Sequence, residues 1–134
     1  MDSDAVALDP GFLISDAGGL WGGRLLECET LPSTNQWALD NLARCRHGDV
    51  IHARCQTAGR GRLGRRWQSP GADGLTVSII VDSARAGTSP DLLPPAAALA
   101  VRATVADLAP SGVVAQLKWP NDVLANGRKI SGIL

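Results

Sequence analysis

The chain has 134 residues, with 13 basic and 13 acidic side chains, 45% hydrophobic content and no tyrosine. That length suits one domain. Zero net charge excludes a global field that would draw in nucleic acid or an anionic membrane, so any charge-driven function is local.

The first 22 residues, rich in Asp and Gly, are expected to be a mobile acidic leader in which Trp21 can pack. Residues 24–31 read as a strand. Ser33-Thr34-Asn35 follows Pro32 and precedes Trp37, Leu39, Leu42 and Ala43, which places a capping hydroxyl at the start of an amphipathic helix ending near Arg46 or Gly48. Residues 49–55 form a second strand, and a polar loop from Gln56 to Gly74 follows with five glycines and four arginines. Residues 74–81 resume strand structure, with Leu75, Val77, Ile79 and Val81 on one face and Thr76, Ser78 and Ile80 on the other. The loop is longer than a connection needs.

Pro94-Pro95 opens an alanine-rich helix running to Ala109, which Pro110-Ser111-Gly112 stops. A strand over 113–119 comes next. After Pro120, Val123-Leu124-Ala125 and Arg128-Lys129-Ile130 flank Asn126-Gly127, a type I′ hairpin signal that sets Leu124 opposite Lys129. The ending, Ile130-Ser131-Gly132-Ile133-Leu134, has no polar tail or turn, as expected of a chain cut mid-domain.

Three cysteines without a C-x-x-C pair suggest neither a disulfide framework nor a zinc site, so reduced thiols in the cytoplasm are expected. The acidic N-terminus does not resemble a signal peptide, and the longest wholly apolar run, 96–101, is too short for a bilayer.

Charge is uneven along the chain. Residues 1–30 hold six acids against Arg24, whereas residues 44–66 hold seven arginines against Asp49. Gly59-Arg60-Gly61-Arg62-Leu63-Gly64 formally matches G-x-G-x-x-G, but the residues after it cannot open the helix that a dinucleotide fingerprint needs. Exposed backbone amides and arginine forks instead make it an anion-binding loop, with Trp67 able to stack on a base. A solvated basic loop is the plainer alternative. The only lysines, Lys118 and Lys129, stand among eleven arginines, and a compact ammonium suits a tight strand-borne site. Asp122 can hold a metal ion, pair with Lys118, or cap a turn.

Four segments then resemble one family, in order and in spacing: Ser33-Thr34-Asn35, the run from Gln56 to Pro70, Lys118-Trp119-Pro120-Asn121-Asp122, and Lys129 to Leu134. They are similar to the motifs of biotin protein ligases, also called biotin–[acetyl-CoA-carboxylase] ligases, over residues 25–134. The resemblance implies an α+β fold: a mixed or antiparallel sheet with helices on one face, of the class II aminoacyl-tRNA synthetase-like biotin/lipoate ligase type. It is expected to be incomplete at its C-terminus, with residues 23–134 as a truncated catalytic domain. The short acidic segment before Ser33 does not read as a helix-turn-helix, so a ligase without a repressor function is expected.

The family's reaction joins biotin and ATP into biotinyl-5′-AMP and then passes biotin to a lysine of a biotin carboxyl carrier domain. By resemblance, Ser33, Thr34, Asn35 and Gln56 recognise biotin, and Arg60, Gly61 and Arg62 close over biotin and the adenylate. Trp67 lies near the adenine. Lys129 touches the biotin carboxylate and the α-phosphate, Lys118 serves the nucleotide, and Asn121 and Asp122 serve the nucleotide and its metal. Mg²⁺ comes bound to ATP, and no residue is assigned as a metal ligand in its own right. Lys129 and Arg62 carry the chemistry, and the loop from Gly59 to Gln68 is expected to be mobile without ligand. Nucleic acid and membrane are not expected partners. The alternatives are a lipoate or octanoyl ligase of the same fold, a nucleic-acid-binding basic loop, or a fragment that binds biotin or its adenylate without turnover.

Overall fold

The computed structural model describes residues 11–69 and 73–134. The chain divides into two compact units: one runs to Arg60 and includes Gly64–Asp82, and the other comprises Gly61–Leu63 and Ser83–Leu134.

The first unit is a four-stranded mixed sheet in the order β1-β2-β3-β4, formed by β1 (Leu13–Ser15), β2 (Leu25–Leu31), β3 (Val50–Gln56) and β4 (Thr76–Ile79). Strands β2 and β3 run parallel, with Leu26 opposite Ile51 and Leu31 opposite Gln56. A parallel pair needs a crossover, and helix α1 (Thr34–Asp40) supplies it. Strands β1 and β4 flank the pair antiparallel on either side. The expectation of a leader over residues 1–22 is therefore corrected at Leu13–Ser15, which pairs with β2; the first ten residues lie outside the described ones. Trp21 stacks on His47 with ring centroids 5.1 Å apart.

Leu26, Leu31, Trp37, Ala38, Ile51 and Ala53 form the core of this unit, with Phe12, Cys28, Cys45 and Ile80 packed against it. Helix α1 is shorter than its apolar pattern suggests. The Asn41 amide donates to the Trp37 carbonyl at 2.9 Å, and its own backbone turns out of helical geometry at φ −120°, leaving a separate 3₁₀ turn over Leu42–Arg44. A side chain that bonds the backbone in this way competes with helix continuation. Leu39 and Leu42 are consequently exposed rather than core. In β4 it is the polar half of the alternation that turns inward: Thr76 is buried, while Leu75, Val77 and Ile79 face outward.

Arg24 and Asp49 clamp the start of the parallel pair. The Asp49 carboxylate is fully buried and accepts from Arg24 N (2.8 Å), Nε (3.2 Å) and Nη2 (2.7 Å), and from Arg46 N (2.8 Å). Burial by itself would raise its pKa; the Arg24 guanidinium and the two backbone amides outweigh that and hold the carboxyl below its usual range.

The second unit contains α2 (Ser83–Ala86), α3 (Leu93–Leu108) and a three-stranded antiparallel sheet of β5 (Ala115–Lys118), β6 (Asp122–Ala125) and β7 (Arg128–Gly132). Proline in the first turn of α3 lies where its missing N–H has no helical partner to lose. Helix α3 packs on β5 and β6, where Ala98, Ala115 and Val123 are buried, and Arg102 Nε donates to the Ala115 carbonyl at 3.2 Å. The hairpin forms as its sequence demands: Asn126 (φ 48°) and Gly127 (φ 77°) both take the left-handed conformation of a type I′ turn, and Leu124 faces Lys129. Asn126 also bonds Val114 through both its backbone and its side chain.

Candidate functional site

In the first unit the β2–α1–β3 crossover brings Ser33 and Thr34 next to Gln56, although they stand more than twenty positions apart in sequence. Ser33 caps α1, its Oγ accepting from Gln36 N at 3.3 Å. Gln56 ends β3, and its Oε1 accepts from Thr34 N at 2.8 Å and from Thr34 Oγ1 at 3.2 Å. Ser78 Oγ in turn donates to Thr34 Oγ1 at 2.9 Å. Because a backbone N–H can only donate, the Gln56 amide has one admissible orientation, with its NH₂ turned away from the helix. That Nε2 donates to Ser69 Oγ at 3.4 Å.

Gln56 opens onto a cleft of about 390 Å³ lined also by Thr57, Gly59, Arg66, Trp67, Gln68 and Ser69. This size falls in the range of small-molecule sites, roughly 300–1,000 Å³. The loop is tied at its base, where Trp67 N donates to the Gly59 carbonyl at 2.8 Å and Arg60 and Arg66 form a β-bridge. Gly59 is required by close approach: a Cβ there would lie 2.4 Å from the Trp67 carbonyl oxygen. Trp67 thus stands with Gln56, among the residues that resemble the biotin-recognising set. Arg60 reaches Gln36 of α1. Asn35 is half-buried beside the cap.

The second unit carries the cations. Lys118 pairs with Asp122 across β5 and β6, and the alternation of the strands puts them on the face opposite Ala115 and Val123. Lys129 joins that face, its Nζ 2.8 Å from Asp122 Oδ1. Asp122 therefore makes its ion pair with Lys129 rather than with Lys118. Arg62 lies in a short 3₁₀ turn over Arg62–Gly64, after Gly61, and its Nη1 donates to Asn121 Oδ1 at 3.1 Å. Asn121 is held from the other side, its Nδ2 donating to the Ile133 carbonyl at 2.7 Å while Ile133 N donates to the Asn121 carbonyl at 2.9 Å.

Sequence reading missed Ser78, Gln36 and Ser69. For Ser78 there was a signal in the polar half of the β4 alternation, which on an otherwise apolar strand implies a polar surface facing inward. Among the described residues no three His, Cys, Asp or Glu side chains gather to hold a metal ion. The three cysteines are free thiols, and burial pushes the pKa values of Cys28 and Cys45 up, away from thiolate chemistry. Among the described residues no helix is long and apolar enough to cross a membrane.

These features define an α+β protein that presents a small, pre-oriented polar cleft in one unit and strand-borne cations beside a glycine–arginine turn in the other. The chain belongs to the Biotin/lipoate A/B protein ligase family, matched over residues 25–134. It is 35% identical over 124 residues to the bifunctional ligase/repressor BirA of Escherichia coli, covering 87% of this chain and 36% of that protein. It is 38% identical over 117 residues to the biotin–[acetyl-CoA-carboxylase] ligase of Mycobacterium tuberculosis, covering 81% of this chain and 43% of that one. Among solved structures it resembles the biotin protein ligase from Aquifex aeolicus in complex with biotin and ATP, with a TM-score of 0.69 and 31% identity over 82% of this chain and 45% of that one. The fold is that of the biotin/lipoate ligase catalytic domain. The chain thus spans between about a third and about two fifths of the length of these two curated relatives.

Proposed function

We propose that the protein carrying this chain activates biotin with ATP and transfers the biotinyl group to a lysine of a biotin carboxyl carrier domain, such as that of acetyl-CoA carboxylase. The observation that supports this best is the Gln56 amide, fixed by Thr34 so that its NH₂ faces a cleft walled by Trp67. A ureido ring both accepts and donates, and it matches an amide donor set among the hydroxyls of Ser33, Thr34 and Ser69. Trp67 offers an apolar wall to the rest of the bicycle. By resemblance Trp67 also lies near the adenine.

In the first step a biotin carboxylate oxygen attacks the α-phosphorus of ATP, the bond to the β-phosphate breaks and pyrophosphate leaves. Two anions must approach while negative charge spreads over the phosphoryl oxygens, so fixed cations lower the barrier most. Lys129 is held on a strand where its ammonium can leave Asp122 for a carboxylate or phosphate oxygen. Arg62 serves the phosphate and holds the mixed anhydride, while Arg60 and Gly61 serve biotin. Lys118 and Asn121 are assigned to the nucleotide. Mg²⁺ bound with ATP would neutralise phosphate charge, and Asp122 is the carboxylate of this set that would hold it once Lys129 is engaged elsewhere. In the second step the neutral amine of the carrier lysine attacks the acyl carbon, AMP leaves and a proton passes to solvent.

The test is calorimetric titration of the full-length protein with biotin, lipoate and octanoate. Biotin is expected to bind and the other two to bind far more weakly. A preference for lipoate or octanoate would move the protein to the other branch of its family.

A further inference from the structure

Gln36 belongs to none of the residue sets assigned above. It is the third residue of α1, where a glutamine commonly folds back onto the backbone N–H of the cap. Here the side chain runs outward instead. Its Nε2 donates to Asp40 Oδ1 at 2.8 Å, and its Oε1 accepts from Arg60 Nη1. A carboxylate can only accept and a guanidinium can only donate, so the two partners fix the direction of the amide between them.

We propose that Gln36 is a positioning residue for Arg60: a neutral anchor on a rigid helix that aims the guanidinium yet leaves its positive charge uncompensated for an incoming ligand. The inference rests on the reading of Arg60 as a biotin-binding residue.

Two arginines of the sheet, Arg24 and Arg54, are paired with carboxylates, Asp49 at 2.7 Å and Glu29 at 3.3 Å, whereas Arg44 and Arg102 donate to the Asn41 amide oxygen at 3.1 Å and the Ala115 carbonyl at 3.2 Å. The loop arginine Arg60 meets an amide oxygen, although Asp40 stands one helical turn beyond it. The arrangement recurs in the second unit, where Arg62 is held by the Asn121 amide. An amide oxygen orients a donor fork and restricts a flexible stem without neutralising it, whereas a carboxylate in the same place competes with the ligand's own oxygens.

A plain helix-cap role and a charge-preserving anchor are separated by Gln36→Glu. Glutamate at this position is as good a capping-box residue as glutamine and suits the helix N-terminus, which offsets the like-charge pair of about 0.2–0.5 kcal/mol that it would form with Asp40 in place of the hydrogen bond, so α1 should be about as stable. Its carboxylate would hold Arg60 more tightly and compensate its charge. The measurements are the biotin dissociation constant, the KM for biotin against kcat, and the Tm, in the full-length protein. Gln36→Glu is expected to keep its Tm while its biotin affinity falls about tenfold and kcat changes little. Gln36→Ala is expected to lose affinity about three- to tenfold, the effect of one lost hydrogen bond to a charged group. If Gln36→Glu binds biotin within twofold of wild type, and Gln36→Ala loses affinity only in step with Tm, Gln36 is a cap residue and the inference is overturned. If the wild-type protein does not bind biotin, the substrate reading itself fails, which a wild-type titration shows before any variant is made.

Discussion

Replacing Asp49 with asparagine tests the framework on which the cleft depends. The carboxylate is fully buried and receives four hydrogen bonds, two at each oxygen: Oδ1 from Arg24 N and Nε, Oδ2 from Arg24 Nη2 and Arg46 N. Asparagine keeps one oxygen and turns the other into an NH₂, which would face the Arg24 guanidinium 2.7 Å away and the Arg46 amide 2.8 Å away, donor against donor. Arg24 would be left buried with no counter-charge. Removing one partner of a buried pair destabilises by about 3–5 kcal/mol, a large share of the roughly 5–15 kcal/mol that holds a domain together. The assay is urea unfolding of wild type and Asp49→Asn as a function of pH. Because the folded carboxyl has the lower pKa, its contribution is fully present above the ordinary value, about 3.9, and is lost as pH falls through the folded value. The gap between the two proteins should therefore be constant near neutrality and shrink only below about pH 4. A loss under about 1 kcal/mol at neutral pH, or a gap that does not narrow in acid, would refute the reasoning.

Three further outcomes follow from the site. Thr34→Val keeps shape but removes the hydroxyl that donates to Gln56 and accepts from Ser78; about 1–3 kcal/mol of stability and roughly tenfold in biotin affinity should be lost, read by thermal unfolding and calorimetry. Gly59→Ala puts a methyl group 2.4 Å from the Trp67 carbonyl, so the bond from Trp67 N to Gly59 should break. Trp67 fluorescence should then stop responding to biotin. Arg62→Ala should release biotinyl-5′-AMP about 10- to 100-fold faster in a stopped-flow chase, the effect of losing a charge-assisted contact of about 1.5–3 kcal/mol.

The strand–helix–strand order around Ser33, the β-hairpin at Asn126-Gly127 and the pairing of Leu124 with Lys129 were all legible in the sequence, because each rests on local chemistry: a cap, a turn that only certain residues tolerate, and a register the turn imposes. Partners set by the tertiary fold were not. Asp122 bonds Lys129 rather than Lys118 because the hairpin brings β7 alongside β6. The strand at Leu13–Ser15 is three residues long and its burial gives no alternation to read, since all three side chains are exposed. Its pairing is supplied by β2. Helix α1 stops early because Asn41 bonds back to Trp37, a contact that composition does not reveal.

The most direct test of the proposed chemistry is exchange of labelled pyrophosphate into ATP by the full-length protein, with and without biotin, in wild type and Lys129→Ala. Exchange should require biotin and should fall at least about 100-fold in the variant, as expected when a group that stabilises charge in the transition state is removed. Exchange that proceeds without biotin, or that is unchanged in Lys129→Ala, would contradict the assignment of this lysine to biotin activation.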